Sequence, residues 1–235
     1  MIKNIVFDMG GVLVDFNPKK MMKEMNVPEG IDAIVYHELF ESPEWITLDA
    51  GRISKEKAIS RIFERLSYHL ESGFYPEASA ISLGQGESLQ ELLEASIEYV
   101  MDHWTGYMKP LSDMEMLPQA LKDAGYGVYL LTNAGIVFRE YEGAIPAFKA
   151  MDGLFVSAEH QMLKPEPEIY LALLAEFGLK ASETLFIDDN PVNIAGGIMN
   201  DIEGIVYRGD VKELISELKR FHVELQQSPL HSSRA

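Results

Sequence analysis

The chain has 235 residues, a formal charge of −17 at pH 7 and a 47% hydrophobic composition, which predicts one large globular domain or a core carrying an insertion. Its acidity argues against a nucleic-acid partner, because phosphate backbones are bound through Lys and Arg, and no apolar run is long enough to span a bilayer. Zero cysteines remove disulfides, thiolate metal sites and cysteine nucleophiles, which leaves carboxylates, hydroxyls, lysines and six histidines for any chemistry.

The first predicted element is a strand, IKNIVF at 2–7, that enters without a basic segment and apolar leader, so a cytoplasmic protein is expected. It runs straight into Asp8 in the segment FDMGGVL. An ionised carboxylate closing an apolar strand is costly without a partner, so Asp8 is expected to hold a metal or do chemistry.

From residue 17 to about 108 the pattern changes. Apolar residues three and four apart near 18–25, 31–40, 55–68 and 89–103 predict helices and no strand pair. The interval is too long for a simple crossover, and 17–108 is read as a helical cap inserted over the C-terminal edge of a sheet. Within it, ESGFYPEASAISLGQGES at 71–88 is rich in Gly and Ser and is expected to form a mobile loop. Met21, Met22 and Met25 read as cap packing, and Trp45, Asp49 and Arg52 fall in a helix-turn-helix.

Beyond the cap, GVYLLTN (127–133), DGLFVS (152–157), TLFIDDN (184–190) and EGIVYRG (203–209) are short apolar, β-rich runs ending in polar or small residues. Helix-period stretches accompany them: MEMLPQALKDAG, EIYLALLAEFG and VKELISELKRF. Gly125 and Gly178 read as helix stops, and Pro167 as a helix start. Strands alternating with helices predict an α/β fold, a doubly wound parallel sheet formed by residues 1–16 and 109–225. Residues 226–235 read as a flexible tail.

In an open parallel sheet, ligands bind beyond the carboxyl ends of the strands. That rule brings together Asp8, Thr132 and Asn133, Lys164 in the loop after the third strand, and Asp188 with Asp189. Carboxylates from two strands suit a hard dication such as Mg²⁺. A hydroxyl and an ammonium suit the oxygens of a phosphate, and Asp8 can attack phosphorus to form an aspartyl phosphate. A small phosphorylated metabolite is compatible with the negative charge, since a metal and a lysine reverse the field locally. His160, which precedes Lys164, reads as a surface or hydrogen-bonded histidine, and Asp15 as a residue that fixes the turn into the cap.

FDMGGVL, LLTNA, MLKPEPEIY and LFIDDNPVNIAGG together resemble, in order, the four motifs of the haloacid dehalogenase-like hydrolases. The resemblance implies a Rossmann-like core, Asp8 as nucleophile and metal ligand, and the backbone carbonyl of Gly10 as a further ligand. It implies Gly10, Gly11, Thr132, Asn133 and Lys164 as phosphate binders, and Asp188 and Asp189 as the acidic metal end. Asp189 is expected in direct contact with Mg²⁺, and Asp188 directly or through water. Within the family, bacterial sugar-phosphate phosphatases and the phosphatase domain of soluble epoxide hydrolase look most similar.

The departure from the family pattern is Gly10, where most members carry a second aspartate as general acid and base. That loss is worth roughly 10²- to 10⁴-fold in rate and leaves nucleophile, metal and phosphate clamp in place. A Mg²⁺-dependent phosphatase is therefore expected, with a sugar phosphate as first substrate. The alternatives are a metal-independent dehalogenase, a phosphomutase, which depends strongly on the missing acid, and a weakly catalytic sensor or scaffold that binds a phosphorylated ligand.

Overall fold

The structure, a computed structural model, describes residues 1–225, so the tail at 226–235 lies outside the described residues. The chain divides into two compact units: Met1–Phe16 joined with the chain from Lys109 onward, and Asn17–Met108.

The first unit is built on the strands β1 (Asn4–Phe7), β4 (Gly127–Thr132), β5 (Gly153–Val156), β6 (Thr184–Asp188) and β7 (Glu203–Val206), with the two-residue strands β2 (Val14–Asp15) and β3 (Lys109–Pro110) beside them. The main sheet has the order β5-β4-β1-β6-β7, and every pairing in it is parallel. Ile5, Val6 and Phe7 are wholly buried, as is every residue of β6, the continuous apolar pattern of a strand covered on both faces. The order reverses at β1: the chain moves from β1 through β4 to β5, then returns to the other side of β1 for β6 and β7. The crevice of a doubly wound sheet opens at such a reversal. Phe7 is in register with Ile187, and the Asp8 amide donates to the Ile187 carbonyl at 2.8 Å. Asp8 and Asp188 therefore leave adjacent strands at the same level.

The second unit is helical: α1 (Pro18–Glu24), α2 (Asp32–Leu39), α3 (Pro43–Asp49), α4 (Lys55–Glu71) and α5 (Leu89–His103). Its helix starts follow capping rules. Asn17, Ser42, Ser54 and Ser88 each accept a hydrogen bond from a backbone amide three residues on, and Pro18 and Pro43 occupy the first turns of their helices. Ala58, Ile62 and Leu66, spaced four apart, form the buried stripe of α4; Leu93, Ile97 and Val100 form that of α5. Met21, Met22 and Met25 are buried within this unit, and Trp45 packs between the rings of Phe40 and Trp104.

This unit also holds a buried polar network. The Glu38 carboxylate accepts hydrogen bonds from Arg65 Nε (2.8 Å), Tyr75 Oη (2.5 Å) and His69 Nδ1 (2.5 Å), while Arg65 also pairs with Glu44. Tyr75 lies within the stretch at 71–88 expected as a mobile loop. The structure corrects that expectation for its first half: α4 runs on to Glu71, Tyr75 is buried and tied to Glu38, and Pro76–Ala80 forms a 3-10 turn. Gly and Ser content reports backbone freedom, but one aromatic hydroxyl with a buried acceptor outweighs it. No described helix is long and apolar enough to cross a membrane.

Among the described residues, six α-helices complete the first unit: α6 (Leu117–Asp123), α7 (Phe138–Tyr141), α8 (Ser157–His160), α9 (Pro167–Phe177), α10 (Pro191–Ile198) and α11 (Val211–Arg220). Pro167 opens α9, and Gly178 closes it in the left-handed conformation. Ile169, Tyr170 and Leu173 of α9 join Ile194 of α10 in a core with Val6, Leu131, Phe155 and Phe186 from the four neighbouring strands. Ile5, Phe7, Leu185 and Ile187 are buried on the opposite face by the alternation of the strands.

Candidate active site

Asp8 begins the site because β1 ends one residue before it, and the loop that follows turns sharply. The amides of Leu13 and Val14 both donate to the Met9 carbonyl, and Gly11 donates to Val14. Gly11 has a positive φ of +73°, and a Cβ there would collide with the Asp189 carboxylate. Its amide is committed to the Val14 carbonyl at 2.8 Å. Gly11 thus keeps space for Asp189, where the sequence suggested a phosphate contact.

Lys164 joins the strands. Its ammonium is buried and donates to Asp8 Oδ1 (2.6 Å), Asp188 Oδ2 (2.7 Å) and the Leu131 carbonyl (3.0 Å), with the Phe186 ring below it. Three acceptors match its three donors. Burial lowers the affinity of this amine for its proton, but the two carboxylates outweigh it and hold the Lys164 pKa above the ordinary value. Asn133 fixes the lysine from the end of β4. Its Oδ1 accepts from the Lys164 amide at 2.9 Å, and its Nδ2 donates to the Lys164 carbonyl at 3.0 Å. Both ends of that side chain bond the Lys164 backbone, so Asn133 positions the lysine while one of its two Nδ2 hydrogens is used. Thr132, the last residue of β4, is buried one position earlier.

Asp188 is surrounded by donors. Oδ1 accepts from the Asn190 amide (2.8 Å) and Asn193 Nδ2 (3.1 Å); Oδ2 accepts from Lys164 and from the same Asn193 nitrogen (3.1 Å). Asn193 is held in turn by Tyr170, whose hydroxyl donates to its carbonyl at 2.6 Å. A Cβ on Gly196 would press on that hydroxyl and on Pro165, so the glycine permits α10 to approach the lysine loop closely. Asn193 and Tyr170 were not singled out from sequence. Each does lie inside a recognised motif, Asn193 five residues after Asp188 and Tyr170 six after Lys164.

A carboxylate oxygen from each of Asp8, Asp188 and Asp189 lies within 4.8 Å of the other two. Burial raises the Asp8 pKa, Lys164 lowers it and Asp188 raises it again, leaving it at about 6. Burial and then Asp188 also raise that of Asp189. An all-oxygen set with this much mutual repulsion suits a hard dication, which would relieve it. His160 stands apart from the cluster: its ring stacks on Phe155 at 3.8 Å, and it pairs with Glu176. Asp15 sits on β2, opposite Lys109.

The model of the haloacid dehalogenase-like hydrolases matches residues 2–200. The chain belongs to this family of hydrolases. Among curated relatives, it is 26% identical over 197 residues to the sesquiterpene phosphatase astK of Aspergillus oryzae, covering 82% of this chain and 83% of that one. It is 26% identical over 208 residues to the D-ribitol-5-phosphate phosphatase of Bacteroides thetaiotaomicron, with 83% and 86% covered. A HAD family enzyme of Bacteroides thetaiotaomicron, crystallised with magnesium and inorganic phosphate, superposes with a TM-score of 0.61 at 20% identity, covering 91% of this chain and 99% of that one. The L-2-haloacid dehalogenase of Xanthobacter autotrophicus gives 0.58 at 18% identity, with 95% and 85% covered. At these identities the two solved structures speak to the shared fold.

Proposed function

We propose that the protein is a Mg²⁺-dependent phosphatase that hydrolyses a small phosphorylated metabolite, a sugar phosphate as first candidate, through an aspartyl phosphate on Asp8. The observation that carries this reading is the convergence of Asp8, Asp188 and Asp189 oxygens within 4.8 Å beside the buried Lys164. Two phosphatases among the curated relatives, and magnesium with phosphate in a neighbour of the same fold, support it.

Asp8 and Asp189, with the Gly10 carbonyl, would hold Mg²⁺, and Asp188 would serve directly or through a water. Bound there, the ion would neutralise charge between the anionic nucleophile and the phosphate oxygens. Lys164 orients the Asp8 carboxylate through Oδ1. For Lys164 to reach the phosphoryl group as well, one of its three present acceptors must give way. The Thr132 hydroxyl, at the end of the neighbouring strand, would donate to another phosphoryl oxygen. Asp8 attacks phosphorus, the bond to the leaving oxygen breaks, and water then hydrolyses the acyl phosphate to return the Asp8 carboxylate and inorganic phosphate. Asn193 and Asn133 act through Asp188 and Lys164, holding them in place. Residues 17–108 would form the cap that selects substrate.

The test is phosphate release across a panel of phosphorylated metabolites, with and without Mg²⁺, run beside Asp8→Asn. Release that needs both the metal and Asp8 supports the proposal. Chloride release from a 2-haloacid without metal would favour the dehalogenase reading, which the absence of a carboxylate at Gly10 keeps in view.

A further inference from the structure

The loop that wraps the nucleophile carries no proton donor. Between Asp8 and Asp15 the side chains are Met9, Gly10, Gly11, Val12, Leu13 and Val14, none of which titrates. Among the described groups gathered with Asp8, Asp188 and Asp189 are acceptors when ionised around a cation. Lys164 has its three donors on Asp8, Asp188 and Leu131. Thr132 offers a hydroxyl and Asn133 an amide that bonds the Lys164 backbone, neither of them a group that gives up a proton readily. The backbone does not impose this lack. Gly10 has no positive φ, and a Cβ built on it meets only the Phe16 Cβ at 3.6 Å, ordinary van der Waals contact. At Gly11 next to it a side chain would be strained by the positive φ and would displace the Asp189 carboxylate.

An alkyl phosphate ester departs as a strongly basic alkoxide unless an acid protonates it in the transition state. An acyl phosphate or a phosphoanhydride departs as an anion that needs no proton. We infer that the substrates carry a leaving group that is already a weak base: an acyl phosphate or phosphoanhydride and, among the sugar phosphates, one esterified at the less basic anomeric oxygen rather than at an ordinary alkyl hydroxyl. This inference rests on the phosphatase reading and narrows its substrate class. In the first step an Asp8 oxygen bonds to phosphorus as the bond to the leaving oxygen breaks, and the leaving group departs with its electron pair as an anion. In the second step water adds to phosphorus, the acyl oxygen–phosphorus bond breaks, and one proton of the water passes to solvent as Asp8 is regenerated.

The experiment measures kcat/KM, which reports the first irreversible step, with Mg²⁺ for acetyl phosphate, 4-nitrophenyl phosphate, phenyl phosphate and glycerol phosphate. In the native protein it should fall by about 10²-fold or more from the acetyl and nitrophenyl members to the glycerol ester, within the range that general acid catalysis supplies. Gly10→Asp places a carboxyl where the backbone has room, and Gly10→Asn is its non-acidic match. Gly10→Asp should raise the ratio of glycerol to nitrophenyl kcat/KM about tenfold or more, and Gly10→Asn should not. A native series flat to within about threefold would overturn the inference, because it would mean that a group outside the loop at 9–14 supplies the proton. An unchanged ratio in an active Gly10→Asp would overturn it equally. Should Gly10→Asp not fold, the native series decides alone. No phosphate release from any member would sink the phosphatase reading itself and this inference with it, a failure distinct from a flat series.

Discussion

Asn193 reaches both carboxylate oxygens of Asp188 with one amide nitrogen, at 3.1 Å each. The asparagine is itself pinned by the Tyr170 hydroxyl through its backbone carbonyl. The orientation of Asp188 is therefore set from α9 and α10 as well as from its own strand. Replacing Asn193 with Leu removes the bridge while keeping bulk. Groups that orient metal-binding carboxylates are typically worth 10- to 100-fold in affinity, so Mg²⁺ binding measured by calorimetry should weaken by about that factor. Unchanged affinity would show that Asp188 holds its place without Asn193.

Lys164 neutralises two buried carboxylates at once. Lys164→Met leaves both without their counter-charge, and in metal-free buffer the loss should be about 3 kcal/mol in a denaturant titration. Added Mg²⁺ should recover more stability in the variant than in the native protein, because the ion would replace the missing charge. Equal metal-induced shifts in the two would show that the ion does not act between these carboxylates.

The raised Asp8 pKa, about 6 against an ordinary value of 3.8, fixes the direction of two pH effects. A carboxyl that holds its proton more tightly when folded stabilises the metal-free protein below pH 3.8, and that contribution is lost as pH rises through 6. Mg²⁺ needs the ionised form, so its apparent affinity should fall as pH drops below 6, approaching about tenfold per pH unit where one proton is displaced. Binding isotherms at pH 5, 6 and 7 would check it, and affinity constant across them would contradict the assignment of Asp8 as a ligand.

Glu38 shows the opposite sign in the second unit. Burial pushes its carboxyl up, but hydrogen bonds from Tyr75, His69 and Arg65 outweigh burial and hold it below the ordinary 4.5. Its contribution is present above pH 4.5 and lost as pH falls below that value. Glu38→Ala should destabilise the unit by about 3 to 5 kcal/mol at neutral pH, because three donors lose a shared acceptor. A loss under 1 kcal/mol, on the order of an exposed pair, would contradict the network.

Elements whose signal is local were legible in the amino-acid order. IKNIVF, GVYLLTN and TLFIDDN are apolar runs that end where their strands end, to within two residues, and α5 spans Leu89–His103 as its periodicity predicts. The residues closing the strands led to Asp8, Lys164 and Asp188, which meet through hydrogen bonds in the structure. What escaped depends on contacts far apart in the chain. Helix α10 has two glycines in eight residues, too weak a propensity to stand out. Strands β2 and β3 have two residues each, too short to show a period. Sequence likewise cannot show that Asn133 holds the Lys164 backbone at both ends of its side chain, or that the Gly11 amide donates to Val14. Glu38 had one available signal: it lies four residues after Ile34 and beside Leu39, on the apolar face of α2, where a carboxylate must find partners.

The central claim is covalent chemistry at Asp8. The direct measurement is acid quenching of the protein within milliseconds of mixing with acetyl phosphate and Mg²⁺, followed by mass spectrometry of the peptide spanning FDMGGVL. A phosphoryl group on Asp8 that forms before phosphate is released, and is absent from Asp8→Asn, is the predicted result. Steady phosphate release by the native protein with no adduct on that peptide, and undiminished release by Asp8→Asn, would contradict it.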